Sequence, residues 1–294
     1  MSTYLLDHGW SGERERLDGL GSVFDSGTVR EFEAVGVGPG WRCLEIGGGS
    51  GTVARWLCER VGPEGRVVAT DLDTGFLEGL RLPGLEVRHH DIVVDELEEG
   101  AFDLVHTRLV LEHLRDRDRD LALARMARAL APGGWLVVEA FEFSRVAVTS
   151  SNPSPAVRRA AVVLPALFRA VLTAVRPAGL DARVGHRLPA ELCRLGLADV
   201  TAEGRSVFIQ GGSATAGVAR LSLARFAEII ADPPDTLHSA ALWTAPGVLQ
   251  RLAPLRRQIA RQLRAIEPLF DDAAVWTMAP AMVAARGRRP PGSP

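Results

Sequence analysis

The chain has 294 residues, 47% hydrophobic and 24% charged, which is ordinary globular composition with enough apolar material for one large domain or a domain with a substantial cap. Its formal net charge is -2 and its pI is near 6.4, so it lacks the positive field of a protein that binds nucleic-acid phosphates. No segment approaches 18 uncharged apolar residues, so no membrane span is expected. The widely spaced Cys43, Cys58 and Cys193 form neither a disulfide ladder nor a metal knuckle.

The opening MSTYLLDHGWSGERERL meets Asp7 after two leucines and lacks the basic and then apolar pattern of a signal peptide, so a cytoplasmic location is expected. Residues 1–36 read as a helical arm, punctuated by Gly36-Val37-Gly38-Pro39-Gly40. From Trp41 a strand, WRCLEI, leads through a glycine loop into a helix from about Thr52 to Arg60 and a second strand, RVVAT. The rhythm continues with LEVRHH at 85–90, FDLVHTR at 102–108, a helix over about 116–130 and the strand WLVVEA ending at Ala140. Short strands alternating with helices predict a doubly wound, mostly parallel α/β sheet over 37–145. The RDRDRD run at 115–120 reads as a solvated helix start.

After residue 141 SSNPSP breaks the rhythm, and AVRRAAVVLPALFRAVLTAVR predicts an inserted helical cap over 146–190, which Pro165 is expected to kink or interrupt. The remainder, 191–288, carries a helix ending at Gly196, a strand within 198–209, helices over 213–230 and 247–266, and a last apolar run, VWTMAPAMVAAR. The polar tail 289–294 is expected to be disordered.

The sharpest signal is LEIGGGSGTVARWL at 44–57, where a strand runs into Gly47, Gly48, Gly49 and Gly51 before a helix begins. Such glycines permit positive φ and bring a ligand against bare backbone at the positive end of a helix. Gly49 to Ala54 also fits GxGxxA, a form of the dinucleotide fingerprint. In the other register Glu45 precedes the loop as acid-x-G-x-G-x-G; a carboxylate there repels a pyrophosphate and suits an ammonium group. Asp71, at the end of the second strand, is placed to accept from both hydroxyls of a ribose, with Asp73 as the competing carboxylate and a helix cap as the plainer reading. Asp91 follows the third strand, where it caps its loop or accepts from an adenine amino group beside the backbone of Ile92.

LEIGGGSG, VVATDLD, HHD, FDLVHTRLVLEHL and APGGWLVVEA together resemble, in order and spacing, the class I S-adenosyl-methionine-dependent methyltransferases, strongly over 41–140. The flanks, YLLDHGWSGERERL, GLADV, FIQGGS and RLSLARFAEII, resemble an actinobacterial small-molecule, natural-product type of branch. The resemblance implies a Rossmann-like, seven-stranded sheet whose last strand is antiparallel; the residues alone support five strands. It implies S-adenosyl-methionine, with product S-adenosyl-homocysteine, held by Glu45, Gly47, Gly49 and Gly51, by Asp71 at the ribose, Leu72 on adenine, Asp91 and Ile92 at the base edge, and Thr107 and Arg108 near the methionine part. In this branch an arm carrying Tyr4 and Trp10 folds over cofactor or substrate; plain aromatic packing of the arm is the other reading. Gly48 and Ser50 depart from the family's usual loop residues.

Methyl transfer from a sulfonium needs an aligned nucleophile in a pocket without competing water, and neither a metal nor a covalent enzyme intermediate. His113 and His186 are the candidate bases, against scaffold and surface-turn readings; Glu139 and Glu142 flank the exit of the fifth strand, where one meets substrate or both are simply solvated. Val162, Val163, Leu164, Leu167, Phe168 and Leu172, with Phe226 and Trp243, suit a lid over an aromatic or polyketide-like acceptor, or equally a dimer patch or core. The expected partner is a small molecule, methylated on oxygen, nitrogen or carbon, with no nucleic acid and no membrane, by a monomer or homodimer. The competing functions are an NAD(P)-dependent oxidoreductase and a non-methylating S-adenosyl-methionine-binding protein.

Overall fold

The computed structural model describes residues 10–143, 146–175, 181, 183–231 and 248–292. Helix α1 (Glu13–Val35) is followed by the expected alternation: β1 (Arg42–Ile46), α2 (Thr52–Val61), β2 (Arg66–Asp71), β3 (Leu85–His89), β4 (Phe102–Arg108), α3 (Asp116–Ala129) and β5 (Leu130–Glu142). The later chain adds β6 (Ala147–Ser150), α4 (Pro155–Val175), α5 (Val184–Arg194), β7 (Ala198–Arg205), β8 (Phe208–Gln210), α6 (Ala214–Ala231), α7 (Val248–Ile266), β9 (Val275–Met278) and β10 (Ala281–Arg288).

Seven strands form one sheet in the order β3-β2-β1-β4-β5-β10-β7. Pairings from β3 through β5 are parallel, and β10 runs antiparallel to both its neighbours. This is the Rossmann-like, class I methyltransferase architecture expected from the sequence. The period-two alternation of the strands sorts their side chains onto two faces. Leu44, Val105 and Val138 join the cluster holding Leu123, Met126, Leu188 and Leu192 of α3 and α5. Cys43, Leu104 and Val137 face the other way, with Phe32 of α1 and Val53 and Leu57 of α2.

The apolar stretches beyond residue 141 divide differently from the reading above. VWTMAPAMVAAR splits at Ala279-Pro280 into β9 and β10, and the segment 198–209 splits into β7 and β8. Each pair sends one strand to the main sheet and the other to a second, antiparallel sheet of order β6-β9-β8. That sheet, with α4, α6 and α7, forms a cap built on Leu164, Leu167, Leu223, Ile230, Ile259 and Leu263. Helix α4 is not interrupted at Pro165: burial of the leucines on either side outweighs the lost N–H. Val162, expected in the lid, is 76% exposed.

Two polar segments also differ from expectation. Arg119, in the run read as solvated, is 2% exposed and donates to the carbonyls of Leu111 and Leu114 at 3.1 and 2.8 Å. A guanidinium can be buried where it satisfies loop carbonyls and keeps a carboxylate partner, here Asp116 at 2.9 Å. In the segment read as a disordered tail, Arg289 exchanges backbone hydrogen bonds with Gly133 and Gly134 and donates its guanidinium to the Leu130 carbonyl at 2.5 Å. No helix among the described residues is long and apolar enough to cross a membrane.

Candidate active site

The strand order reverses at β1, between β2 and β4, and open α/β sheets bind ligands outside the carboxyl ends of strands at such a point. The loop after β1 and the loop after β4 meet there. Gly47, Gly49 and Gly51 all have positive φ, at 73°, 53° and 82°. A Cβ on Gly47 would lie 2.2 Å from Val110 in the opposite loop, so both the backbone conformation and the close approach require glycine. The amide of Gly49 donates to Asp71 Oδ2 at 2.9 Å, which fixes the loop against the end of β2. Leu109, in the loop after β4, has a φ of 60°, unusual for leucine, and its amide donates to the Glu139 carbonyl at 2.9 Å.

A cavity of about 310 Å³ opens at this junction. Among the residues proposed from sequence, Glu45, Gly47, Gly49, Asp71, Leu72, Asp91, Ile92, Arg108 and His113 line it. Gly51 and Thr107 do not: Gly51 caps the start of α2, and the Thr107 hydroxyl donates back to the Ile46 carbonyl at 3.0 Å, inside the sheet. Tyr4 and Trp243 lie outside the described residues. Asp91 caps its loop, its Oδ1 accepting from the Val93 amide at 2.9 Å, and it also lines the cavity. His186 lies elsewhere. Its side chain is 57% exposed on α5, paired with Glu142 at 2.9 Å, and it is not part of the cavity wall.

The cavity continues from the glycine loop to the cap without a partition. Its other walls are Leu17, Leu20 and Phe24 of α1, Phe141 and Phe143 at the end of β5, Leu164 and Phe168 of α4, Phe226 of α6, and Phe270. Phe24, Phe141, Phe143 and Phe168 form a chain of ring contacts with centroids 5.4, 5.1 and 6.2 Å apart.

A short 3-10 turn, Leu111–His113, places two titratable groups on the wall. Burial, and secondarily the Arg16 cation, push the His113 pKa down to about 4, so the imidazole is neutral at pH 7 and a weak proton acceptor. Burial pushes the neighbouring Glu112 up to about 7, while its Oε1 accepts from the Phe141 amide at 2.6 Å.

Three residues beneath the floor were missed as a unit. Glu45, His106 and Glu139 stand on adjacent strands on the α1 side of the sheet, 2%, 0% and 2% exposed. His106 Nδ1 meets Glu45 Oε2 at 2.5 Å and Nε2 meets Glu139 Oε2 at 3.2 Å. Burial opposes charge on His106, yet Glu45 and Glu139 raise its pKa to about 9. Burial also raises the Glu45 pKa, against the pull of His106, whereas at Glu139 the His106 contact and the hydrogen bond from Thr28 outweigh burial and lower it.

Residues 44–136 match the methyltransferase domain family. The matched segment runs from β1 into β5 and contains both loops at the switch point. Over 146 residues the chain is 35% identical to the ubiquinone/menaquinone biosynthesis C-methyltransferase UbiE of Bordetella avium, covering 45% of this chain and 54% of that protein. It is 38% identical over 112 residues to an uncharacterized 37.1 kDa protein in transposon TN4556 of Streptomyces fradiae, covering 36% and 32%. The chain thus spans about half, or less, of the length of these relatives. A cyclopropane-fatty-acyl-phospholipid synthase-like protein from Lactobacillus casei has the same fold, with a TM-score of 0.52 at 13% identity, over 93% of this chain and 90% of that one. Residues 44–136 are thus similar to the methyltransferase domain of UbiE-like enzymes, within a sheet of class I methyltransferase architecture, and the cofactor of such a domain is S-adenosyl-methionine. The residues present fit that group: bare glycine backbone that Cβ atoms would obstruct, and carboxylates at two strand ends.

Proposed function

We propose that the protein transfers a methyl group from S-adenosyl-methionine to an oxygen, nitrogen or carbon of a small apolar or aromatic molecule. The observation that carries this reading is the single cavity running from the glycine loop to a wall holding six of the chain's ten phenylalanines. Aromatic walls bury a flat acceptor without demanding polar partners from it. When bound, the sulfonium supplies an activated methyl group, and the protein's task is alignment and exclusion of water.

In this reading Gly47 and Gly49 present backbone to the amino-acid end of the cofactor, Asp71 accepts from the ribose hydroxyls, and Asp91 with Ile92 meets the base edge. Helix α1 and the cap close the acceptor side against water. If the acceptor loses a proton, Glu112 is better matched than His113: a group with a pKa near 7 exchanges a proton at neutral pH, whereas one near 4 seldom holds it. The C-methyltransferase in Bordetella avium supports keeping carbon among the acceptor atoms. The resemblance of the flanking segments supports the actinobacterial small-molecule branch.

Calorimetric titration with S-adenosyl-methionine, S-adenosyl-homocysteine and NAD in parallel tests the cofactor. Binding of the two sulfur compounds without NAD is expected, followed by detection of methylated product in a screen of aromatic acceptors. Binding of NAD alone would return the glycine loop to the oxidoreductase reading.

A further inference from the structure

Glu45, His106 and Glu139 belong to a longer chain of contacts that reaches α1. The Thr28 hydroxyl donates to Glu139 Oε2. Arg108 donates to Thr28 Oγ1 and to Asp25 Oδ1, both at 2.8 Å. Glu45 and Arg108 line the cavity, while His106, Glu139, Thr28 and Asp25 lie behind its wall. From the other side α1 lays Arg16, Leu17, Leu20, Val23 and Phe24 against the same cavity. One string of hydrogen bonds therefore ties the acid before the glycine loop to the helix opposite that loop.

Packing alone does not call for this arrangement. Three ionisable side chains in a core cost desolvation that a trio of valines would avoid, and the cost is offset only while every charge keeps its partner. We propose that His106 is a positioning residue for cofactor capture, holding Glu45 in place behind the glycine loop and, through Glu139, Thr28, Arg108 and Asp25, fastening α1 across the cavity. The proposal rests on the methyltransferase reading. The charged groups around the imidazole are Glu45 on β1, Glu139 on β5 and Arg108 on its own strand, the last paired with Asp25 of α1; Phe32 covers the ring edge-on at 4.9 Å. Loss of the His106 proton leaves two buried carboxylates without the cation between them, which loosens both ends of the string at once.

The test uses the purified full chain and S-adenosyl-homocysteine as the titrated ligand, from pH 7 to 10, in the wild type, His106→Gln and Thr28→Val. Wild-type affinity is expected to hold at pH 7 and to fall as pH passes about 9, where His106 loses its proton. His106→Gln should bind about tenfold more weakly at pH 7, the scale of one charged hydrogen bond, and lack that additional fall. Thr28→Val keeps the Glu45–His106 contact; it should cost roughly threefold in affinity and speed hydrogen exchange in α1 while retaining the wild-type pH dependence. The free ligand's amine titrates alike in all three experiments, so the comparison isolates what the protein contributes. Wild-type affinity and pH profile in a folded His106→Gln would overturn the proposal. Should that variant not fold, unchanged affinity and unchanged α1 exchange in Thr28→Val would overturn it. A wild type that binds no S-adenosyl-homocysteine at any pH would instead remove the methyltransferase reading beneath it.

Discussion

At the glycine-loop end of the cavity, backbone and carboxylates set the geometry; at the cap end, interchangeable apolar side chains do. Gly47 is fixed by a φ of 73° and by the proximity of Val110, and the Gly49 amide by Asp71. Phe143, Phe168 and Phe226 are held by packing, where hydrophobic residues of similar volume substitute at modest cost. The loop end therefore has few alternatives and binds one cofactor. The cap end has many, and in the proposed reading it sets which acceptor fits.

The sharpest way to break this contrast is at the ribose position. Asp71→Ala removes a carboxylate that braces Gly49 and, in the proposed reading, accepts from the cofactor. Two charged hydrogen bonds lost together should weaken S-adenosyl-methionine binding about a hundredfold, with the fold intact. Calorimetry checks this, and unchanged affinity would sink the ribose role.

A second test separates conformation from contact at Gly47. Gly47→Ala should cost about 2–4 kcal/mol of stability, from the left-handed φ and from displacement of Val110. Adding Val110→Ala removes the clash and leaves the φ penalty, so chemical denaturation should recover part of the loss. No recovery would show that the two loops do not constrain each other.

Stability against pH probes the pairing under the floor. A pKa raised to about 9 from 6.5 means that His106 contributes fully below about pH 6.5 and loses that contribution as pH rises through about 9. The wild-type melting temperature should therefore decline across that window relative to His106→Gln, by thermal scans in matched buffers. Parallel curves would show that His106 is not charged in the folded protein.

The same contrast explains what was legible in the sequence. LEIGGGSG and VVATDLD were readable because backbone constraints leave few residue choices, and β1 to β5 fell nearly where alternation placed them. The second sheet was not readable, because β6, β8 and β9 are three to four residues long and continue the same apolar runs as their neighbours. Only Ala279-Pro280 marks the crossing from cap to main sheet. Glu45, His106 and Glu139 escaped because each lies in a different motif. Their shared face emerges only when the period-two alternation of Cys43/Glu45, Leu104/His106 and Val137/Glu139 is laid across three paired strands. Arg119 was misread because a charged run gives no sign of which member finds a carbonyl to satisfy.

The smallest effect is expected at the cap, and it is the one that separates the two ends most cleanly. Phe168→Ala removes a ring that stacks on Phe143 at 6.2 Å and faces the cavity from α4, far from the glycine loop. Loss of one aromatic contact is worth about 1 kcal/mol, so the KM for an aromatic acceptor should rise roughly fivefold. Cofactor affinity should not move, since no residue of α4 was placed at the adenosine or amino-acid end. The turnover number should hold as well, because an interaction made equally in ground and transition states changes KM alone. A variant that loses cofactor affinity together with acceptor affinity would mean that the cap reports on the loop, and the division between a fixed end and an adaptable one would have to be abandoned. Replacing Phe168 by Leu keeps most of the apolar volume and should restore binding of a non-planar acceptor more fully than that of a flat one, which distinguishes ring stacking from simple burial.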